Sequence, residues 1–369
     1  MTVLVAMSGG VDSSVAAALL REQGHDVVGM TMRILDRDDE RLGGGRGCCG
    51  LQAVRDAARV CAQLGIPHYA LDFREIFERE IVEPFAAEYA RGRTPNPCIV
   101  CNDRVKFGIL LERLADFQAE KLATGHHACI CRSADGSRQL LRGRDPRKDQ
   151  SYFLYRFTQQ QLARVLMPVG ELTKDEVRDH ARQLDLPTAE RPESQEICFI
   201  PDDDYVGFLR RRQPELLADD DRRSAFRPGP VIDEEGNLLG EHPGIAGFTV
   251  GQRRGLGLAF GERRYVVRIE PETNALVLGT GSDVMSKNAL VETVSWVSGT
   301  APAPPVRATA KVRYQHEGAL ALVDVGPDVA RVIFDDPQLA IAPGQAMVFY
   351  DGDVVLGGGV ISTSSVTGG

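Results

Sequence analysis

The sequence predicts an α/β domain built on a parallel sheet, followed by two small all-β modules. Three observations carry that expectation. Over roughly the first 200 residues, short apolar runs alternate with stretches of helical periodicity, the pattern of βαβ units. From Arg227 onward Gly and Pro recur roughly every 8–12 residues with β-branched runs between them, which reads as small barrels. The length, 369 residues, suits about two or three domains. A hydrophobic fraction of 43% with 26% charged residues is ordinary for a globular chain and excludes a long disordered protein or a coiled coil.

The elements follow in order. Val3–Met7 is an apolar run that leads into a Gly turn, and a helical pattern runs from Ser13 to Gln23 before stopping at Gly24. Val27–Met32 is a second strand, Gly43–Gly50 a Gly/Cys loop, and Gln52–Leu64 a helix closed by Gly65. Pro67–Leu71 reads as a strand, Arg74–Tyr89 and Phe107–Phe117 as helices, and Lys121–Thr124 as another strand. In the second half the strand candidates are Tyr265–Ile269, Ala275–Leu278, Ala289–Val297, Arg307–Arg313, Ala319–Val325, Ala330–Phe334, Ala346–Tyr350 and Val354–Ile361. One boundary follows the charged clusters Asp202–Asp204, Arg210–Arg212 and Asp219–Asp221, and another lies near Ser282–Lys287. The expected domains are therefore 1–220, 221–284 and 285–369, with a frayed Ser362–Gly369 tail.

No apolar run approaches the roughly 18 residues of a membrane span. The N-terminus MTVLVAMSGG has no basic segment before an apolar one, so a secretory signal is not expected. All eight cysteines fall between positions 48 and 198, a distribution that suits a reducing cytoplasm better than a secreted disulfide framework. The net charge of −9 argues against a nucleic-acid partner when taken as a total. Its distribution argues otherwise. Arg91–Lys106, Arg132–Lys148, Arg253–Arg268 and Arg307–His316 are each basic and together carry a net +14, leaving the rest of the chain at −23. Phosphate contacts need only local Lys and Arg.

The strongest chemical signal is Ser8-Gly9-Gly10-Val11-Asp12-Ser13-Ser14, directly after a strand and opening a helix. Two glycines allow a tight turn and close approach to an anion. The helix-start amides point outward, and the dipole adds about half a positive charge. Ser8, Ser13 and Ser14 supply hydroxyls, and Asp12 suits Mg²⁺ held against phosphate oxygens. No Lys stands where a Walker A loop would need one. The string resembles the PP-loop of N-type ATP pyrophosphatases, which adenylate a substrate oxygen and release pyrophosphate.

Thr94-Pro95-Asn96-Pro97-Cys98-Ile99-Val100-Cys101-Asn102 places Cys101 at or near a helix start, where unpaired amides and the dipole favour a thiolate. Cys198 lies in Glu193-Ser194-Gln195-Glu196-Ile197-Cys198-Phe199-Ile200. Two such loop cysteines in a reducing compartment suit transient chemistry. The strings TPNPCIVCN, ATGHHA, KDQSYFL, ESQEICFIP, Arg313-Tyr314 and PGQAMVFYDGD, in this order along essentially the whole chain, resemble the tRNA-specific 2-thiouridylase family.

That resemblance implies a PP-loop (adenine nucleotide hydrolase-like) parallel-sheet domain, a small central β domain and a C-terminal β-barrel. It implies a sulfurtransferase that thiolates the wobble uridine of tRNA at C2, after ATP adenylates O2. Ala6, Met7, Ser8, Gly9, Gly10, Val11, Asp12, Ser13, Met32 and Gly125 would contact ATP. Cys198 would carry the persulfide, and Cys101 would be the nucleophile, leaving a transient Cys101–Cys198 disulfide. Asn96, Pro97 and Cys98 would line the pocket of the flipped base. His126, Lys148, Asp149, Gln150, Arg313, Tyr314 and Gln345 would contact tRNA. The implied partners are Glu, Gln and Lys tRNAs and a cysteine desulfurase or sulfur-relay protein, with the enzyme acting as a cytoplasmic monomer. Some relatives carry an Asp, proposed as a general acid/base, where this chain has Cys98. An unperturbed thiol titrates near ~8.5, so Cys98 is not expected to serve as that acid.

The remaining residues have plainer uses. Cys98 and Cys101 lack a second pair at zinc spacing, since neither Cys48-Cys49 nor Cys129 with Cys131 provides one, so no metal is assigned. A cluster on Cys98, Cys101 and Cys198 is the alternative use of the same thiols. Cys61 and Trp296 read as core. His126 and His127 are adjacent on an extended segment and face opposite ways, which disfavours a shared metal.

Overall fold

A computed structural model describes residues 1–35, 50–192, 197–200, 204–216, 224–326 and 329–362. Cys48, Cys49, most of the Gly43–Gly50 loop, the acidic run 219–221 and the tail beyond Ser362 lie outside them. Strands β1 (Thr2–Ala6), β2 (Asp26–Arg33), β3 (His68–Asp72) and β4 (Lys121–Ala123) belong to one sheet. A hairpin, β5 (Ala128–Arg132) and β6 (Arg138–Arg142), leaves it, and β7 (Val165–Leu166) returns. The spatial order is β3-β2-β1-β4-β7, with every pairing parallel.

Helices cover both faces, which is why these strands are apolar runs rather than alternating ones. Val3, Val5 and Val27 pack with α1 (Val11–Glu22), α2 (Leu51–Leu64) and α6 (Lys174–Gln183); α5 (Gln159–Arg164) precedes α6. Leu4, Met30 and Met32 pack on the other side with two long helical stretches. One, α3, spans 74–90 as Arg74–Phe77, Glu78–Val82 and Glu83–Ala90; the other, α4, spans 97–112 as Pro97–Val100, Cys101–Ile109 and Leu110–Glu112. The middle segment of each is π-helical. Helix α4 starts ten residues before the expected Phe107, because Asn96 caps it and Pro97 takes the first position, where a missing N–H costs nothing. Cys101 therefore stands beyond the first turn, where the dipole effect has faded.

After α7 (Tyr205–Leu216) comes a four-stranded sheet of β8 (Gly229–Asp233), β9 (Leu238–His242), β10 (Tyr265–Glu270) and β11 (Ala275–Gly279), in the order β10-β11-β8-β9. The first two went unpredicted because their Gly, Pro and charged residues give no β-branched run. Six antiparallel strands follow: β12 (Met285–Trp296), β13 (Val306–Lys311), β14 (Ala319–Val325), β15 (Val329–Leu339), β16 (Ala346–Asp351) and β17 (Val354–Ile361). The ring β12-β15-β14-β13-β16-β17 closes through β12–β17.

This barrel is fused to the first domain. Leu141 of β6 pairs with Val354 of β17, so the hairpin extends the barrel sheet. Strand β16 is buried on both sides: Met347 and Phe349 fill the barrel, while Ala346, Val348 and Tyr350 enter the core of the α/β domain. Among the described residues no helix is long and apolar enough to cross a membrane.

Candidate nucleotide and sulfur-transfer site

Neighbouring strands β1 and β4 send their chains to opposite sides of the sheet, to β2 and β7. The crevice at the carboxyl ends of such a pair is where open α/β sheets bind ligands. The loop after β1 (residues 8–10) and the loop after β4 (residues 124–127) bound it. Gly9 has φ +70, and a Cβ there would lie 2.6 Å from the Ala53 carbonyl oxygen on α2. A Cβ on Gly125 would lie 2.5 Å from the Ser13 nitrogen and 2.6 Å from the Asp12 carbonyl carbon. Only glycine lets the two loops close on the start of α1.

Gly10 is the N-cap of α1, and no side chain caps the first turn. The hydroxyls instead tie the loop to itself. The Ser8 amide donates to Ser13 Oγ (3.1 Å), and Ser13 and Ser14 donate to the Gly10 carbonyl (3.2 and 2.8 Å). The first-turn amides and the dipole are left for an anion. Met7 and Val11 are buried in the core beside α1, and Met32 is buried on the opposite face at the carboxyl end of β2. Ala6 is partly buried there as well.

Asp12 is the electrostatic centre. Lys174 Nζ donates to both its oxygens (2.7 and 2.8 Å), and His127 Nε2 stands 3.1 Å from Oδ1. Burial works to raise the Asp12 pKa, but the His127 hydrogen bond and the Lys174 ammonium outweigh it and hold the carboxyl below its ordinary value. Lys174 is 5% exposed and opens α6, where Thr173 and Glu176 form a capping box. Sequence reading missed this lysine. The Thr-x-x-Glu cap was legible, but its contact with a loop 162 residues away was not. Arg191 was missed too: it donates to the Gly9 carbonyl (2.9 Å) and pairs with Asp56 of α2.

Both cysteine-bearing segments pack on α3. Asn96 Oδ1 accepts from the Cys98 and Ile99 amides (3.1 and 3.4 Å), and Pro97 and Ile99 are buried, leaving Cys98 exposed and Cys101 half-buried. Cys198 is half-buried beside Phe199. That ring meets Phe77 and Phe85 of α3 edge-on, with centroids 5.5 and 5.4 Å away. Among the described residues no three His, Cys, Asp or Glu side chains are grouped to share a metal ion. Cys61 is fully buried, and burial pushes its thiol up to about 11, which fits core packing.

The residues expected to meet tRNA gather at the seam between the α/β domain and the barrel. Burial pushes the His126 imidazole well below its usual range, with Lys106 and His127 adding to the shift; its Nδ1 lies 2.8 Å from Thr124 Oγ1. Gln150 Oε1 accepts from the His127 amide (3.0 Å). Asp149 faces inward: it accepts from the Gly143 and Ser151 amides and the Ser151 hydroxyl, each at 3.0 Å, and so fixes the turn that presents Lys148. Tyr314 lies against Phe153, with centroids 4.4 Å apart. Gln345 Nε2 donates to the Thr94 carbonyl (2.9 Å), and the Thr94 amide donates to Pro343 (2.9 Å). The turn before β16 thus grips the chain leading to Cys98 and Cys101.

Three family models match in succession. They are described as the tRNA methyl transferase HUP domain (residues 1–202), the tRNA methyl transferase PRC-barrel domain (221–280) and the aminomethyltransferase beta-barrel domain (286–361). A Heliobacterium modesticaldum protein named tRNA-specific 2-thiouridylase MnmA is 50% identical over 363 residues, covering 98% of this chain and 92% of that one. The protein of that name from Carboxydothermus hydrogenoformans is 49% identical over 362 residues, covering 97% of each.

Proposed function

Because the chain belongs to the tRNA-specific 2-thiouridylase family, we propose that it replaces O2 of the wobble uridine of tRNA with sulfur at the expense of ATP. The observation that carries the reading is an anion-binding loop at the sheet's switch point, with both cysteine segments packed on one helix of that domain. A methyl transfer, which two of the family descriptions suggest, would use neither the loop nor the thiols.

In this reading the ATP phosphates rest on the Ser8–Ser13 loop, with Ala6, Met7, Met32 and Gly125 around the nucleotide. Asp12 would hold Mg²⁺ only by giving up its Lys174 ammonium, which spans both carboxylate oxygens in this structure; the cation offsets phosphate charge when bound. The uridine O2 attacks the α-phosphorus, the bond to pyrophosphate breaks, and the oxygen leaves later as part of AMP. The terminal persulfide sulfur on Cys198 attacks C2 and expels AMP. The Cys101 thiolate then attacks the Cys198 sulfur. The bond between Cys198 and the transferred sulfur breaks, 2-thiouridine departs, and the Cys101–Cys198 disulfide awaits an external thiol. Asn96, Pro97 and Cys98 line the pocket of the extruded base. Lys148, Gln150, His126, Arg313, Tyr314 and Gln345 meet the RNA, with Asp149 positioning Lys148. A cysteine desulfurase or relay protein supplies the sulfur to a cytoplasmic monomer.

The test is sulfur incorporation into Glu, Gln and Lys tRNAs with ATP and a persulfide donor. Cys198→Ser is expected to abolish incorporation and AMP release while pyrophosphate still forms and the adenylated tRNA accumulates. Full incorporation by Cys198→Ser would overturn the cysteine assignment, and wild-type turnover without pyrophosphate would overturn the nucleotide assignment.

A further inference from the structure

Lys311 closes β13. Ala308 and Ala310 of that strand fill the barrel, so the alternation of a strand points Lys311 outward, under the α/β domain. It is 9% exposed, its ammonium lies 5.9 Å from the centre of the Tyr314 ring, and among the described residues it makes no hydrogen bond or ion pair. Two groups act on it from the facing domain: Arg142 repels it and Asp149 attracts it. Asp149 makes no hydrogen bond to it: its oxygens accept from Gly143 and Ser151, and its single charge is shared with Arg142 at 3.4 Å. The Arg142 guanidinium lies flat on Tyr350, 3.8 Å from the ring centre. Two cations, one from each domain, thus meet at the seam and share the buried Asp149 carboxylate; Arg142 also reaches the exposed Asp353 at 4.0 Å, which leaves Lys311 as the cation without an ion pair of its own. Buried charges are normally paired, and an unpaired ammonium here is a cost the fold sustains without return inside the chain.

We propose that Lys311 and Arg142 together seat one backbone phosphate of the bound tRNA, an inference that rests on the tRNA reading above. A phosphate matches an ammonium as a point charge and a guanidinium as a planar donor. The seat lies between Lys148–Gln150 on one domain and Arg313–Tyr314 on the other, so a chain of phosphates following those residues passes over it. Filling it removes the repulsion between hairpin β5–β6 and the barrel, so RNA binding also tightens the seam.

Lys311→Met keeps the length of the side chain and removes the charge. Three quantities are measured: affinity for a substrate tRNA against salt concentration, melting of the RNA-free protein, and the melting shift on adding tRNA. The expected result is about tenfold weaker binding near 0.1 M salt and a log–log salt slope shallower by about 0.9. The RNA-free variant melts at the same temperature as the wild type or higher, and Lys311→Arg keeps the wild-type slope. Unchanged affinity and slope in Lys311→Met overturns the seat. A lower melting temperature with an unchanged slope also overturns it, since that marks a purely structural lysine. Wild-type protein that binds no tRNA overturns instead the tRNA reading on which the seat depends.

Discussion

Asp12 is kept ionised by two side chains that reach it from other parts of the chain. Lys174 is almost buried and spans both carboxylate oxygens, and His127 approaches one of them. Removing the ammonium by Lys174→Met leaves the carboxylate with His127 alone against burial, so it is expected to titrate higher than in the wild type. Breaking a buried pair costs about 3–5 kcal/mol, but Asp12 is 30% exposed, so a loss of about 2 kcal/mol is expected. The pH dependence has a definite sign. A depressed carboxyl pKa contributes stability above the unfolded value of 3.8, and that contribution is lost as pH falls through the lower folded value. In the variant the carboxyl titrates higher, so acid relieves its penalty. The gap in melting temperature between wild type and Lys174→Met is expected to be widest near neutrality and to narrow as pH falls toward about 4. A gap constant with pH would refute the pairing as its source.

At the scale of the element, glycine and caps decide the site. Gly9→Ala would need a left-handed alanine whose methyl collides with the α2 backbone at Ala53. Loss of ATP binding is expected by equilibrium titration, with tRNA affinity retained; ATP affinity equal to wild type would mean the loop is not the phosphate cradle. Asn96→Ala removes the acceptor for two amides at the start of α4, at a cost of about 1 kcal/mol. It is expected to lower the thiolation rate more than the rate of pyrophosphate release; equal reductions would count against a role confined to the cysteine helix. The loop was legible because its chemistry is local: strand, two glycines, Asp, serines, helix. The start of α4 lies ten residues ahead of the expected Phe107 because Asn96 and Pro97 serve as its cap and first position, a signal with no apolar periodicity behind it. Lys174 and Arg191 were invisible because each works through a partner far away in sequence, whereas the Asp149 cage is local, within seven residues, but carries no pattern that marks it.

At the scale of the whole molecule, the barrel shares the core of the α/β domain rather than hanging from it as an appendage. Ala346, Val348 and Tyr350 leave the barrel surface and enter the α/β core, where the Tyr152 hydroxyl donates to the Ala346 carbonyl (2.8 Å) and Ser151 lies 3.3 Å from the Tyr350 hydroxyl. A Cβ on Gly358 would sit 3.0 Å from the Tyr155 ring, so there is no room for a side chain between barrel and α/β domain at this point. The run Ala346–Tyr350 reads as a strand in the sequence, but no local pattern could say that it is buried on both faces or that the two faces serve different cores. One cooperative melting transition is therefore expected for the α/β domain and barrel together. A fragment ending at residue 284 would expose Tyr152, Tyr155 and Leu140, all fully buried in the intact chain. That fragment is expected to bind a hydrophobic dye and to aggregate, even though it keeps the nucleotide loop and both cysteines. A monomeric, dye-negative fragment melting near the full-length temperature would show that the barrel is dispensable for folding. The grip of Gln345 and Pro343 on Thr94 would then remain as the physical link through which the barrel reaches the cysteine helix.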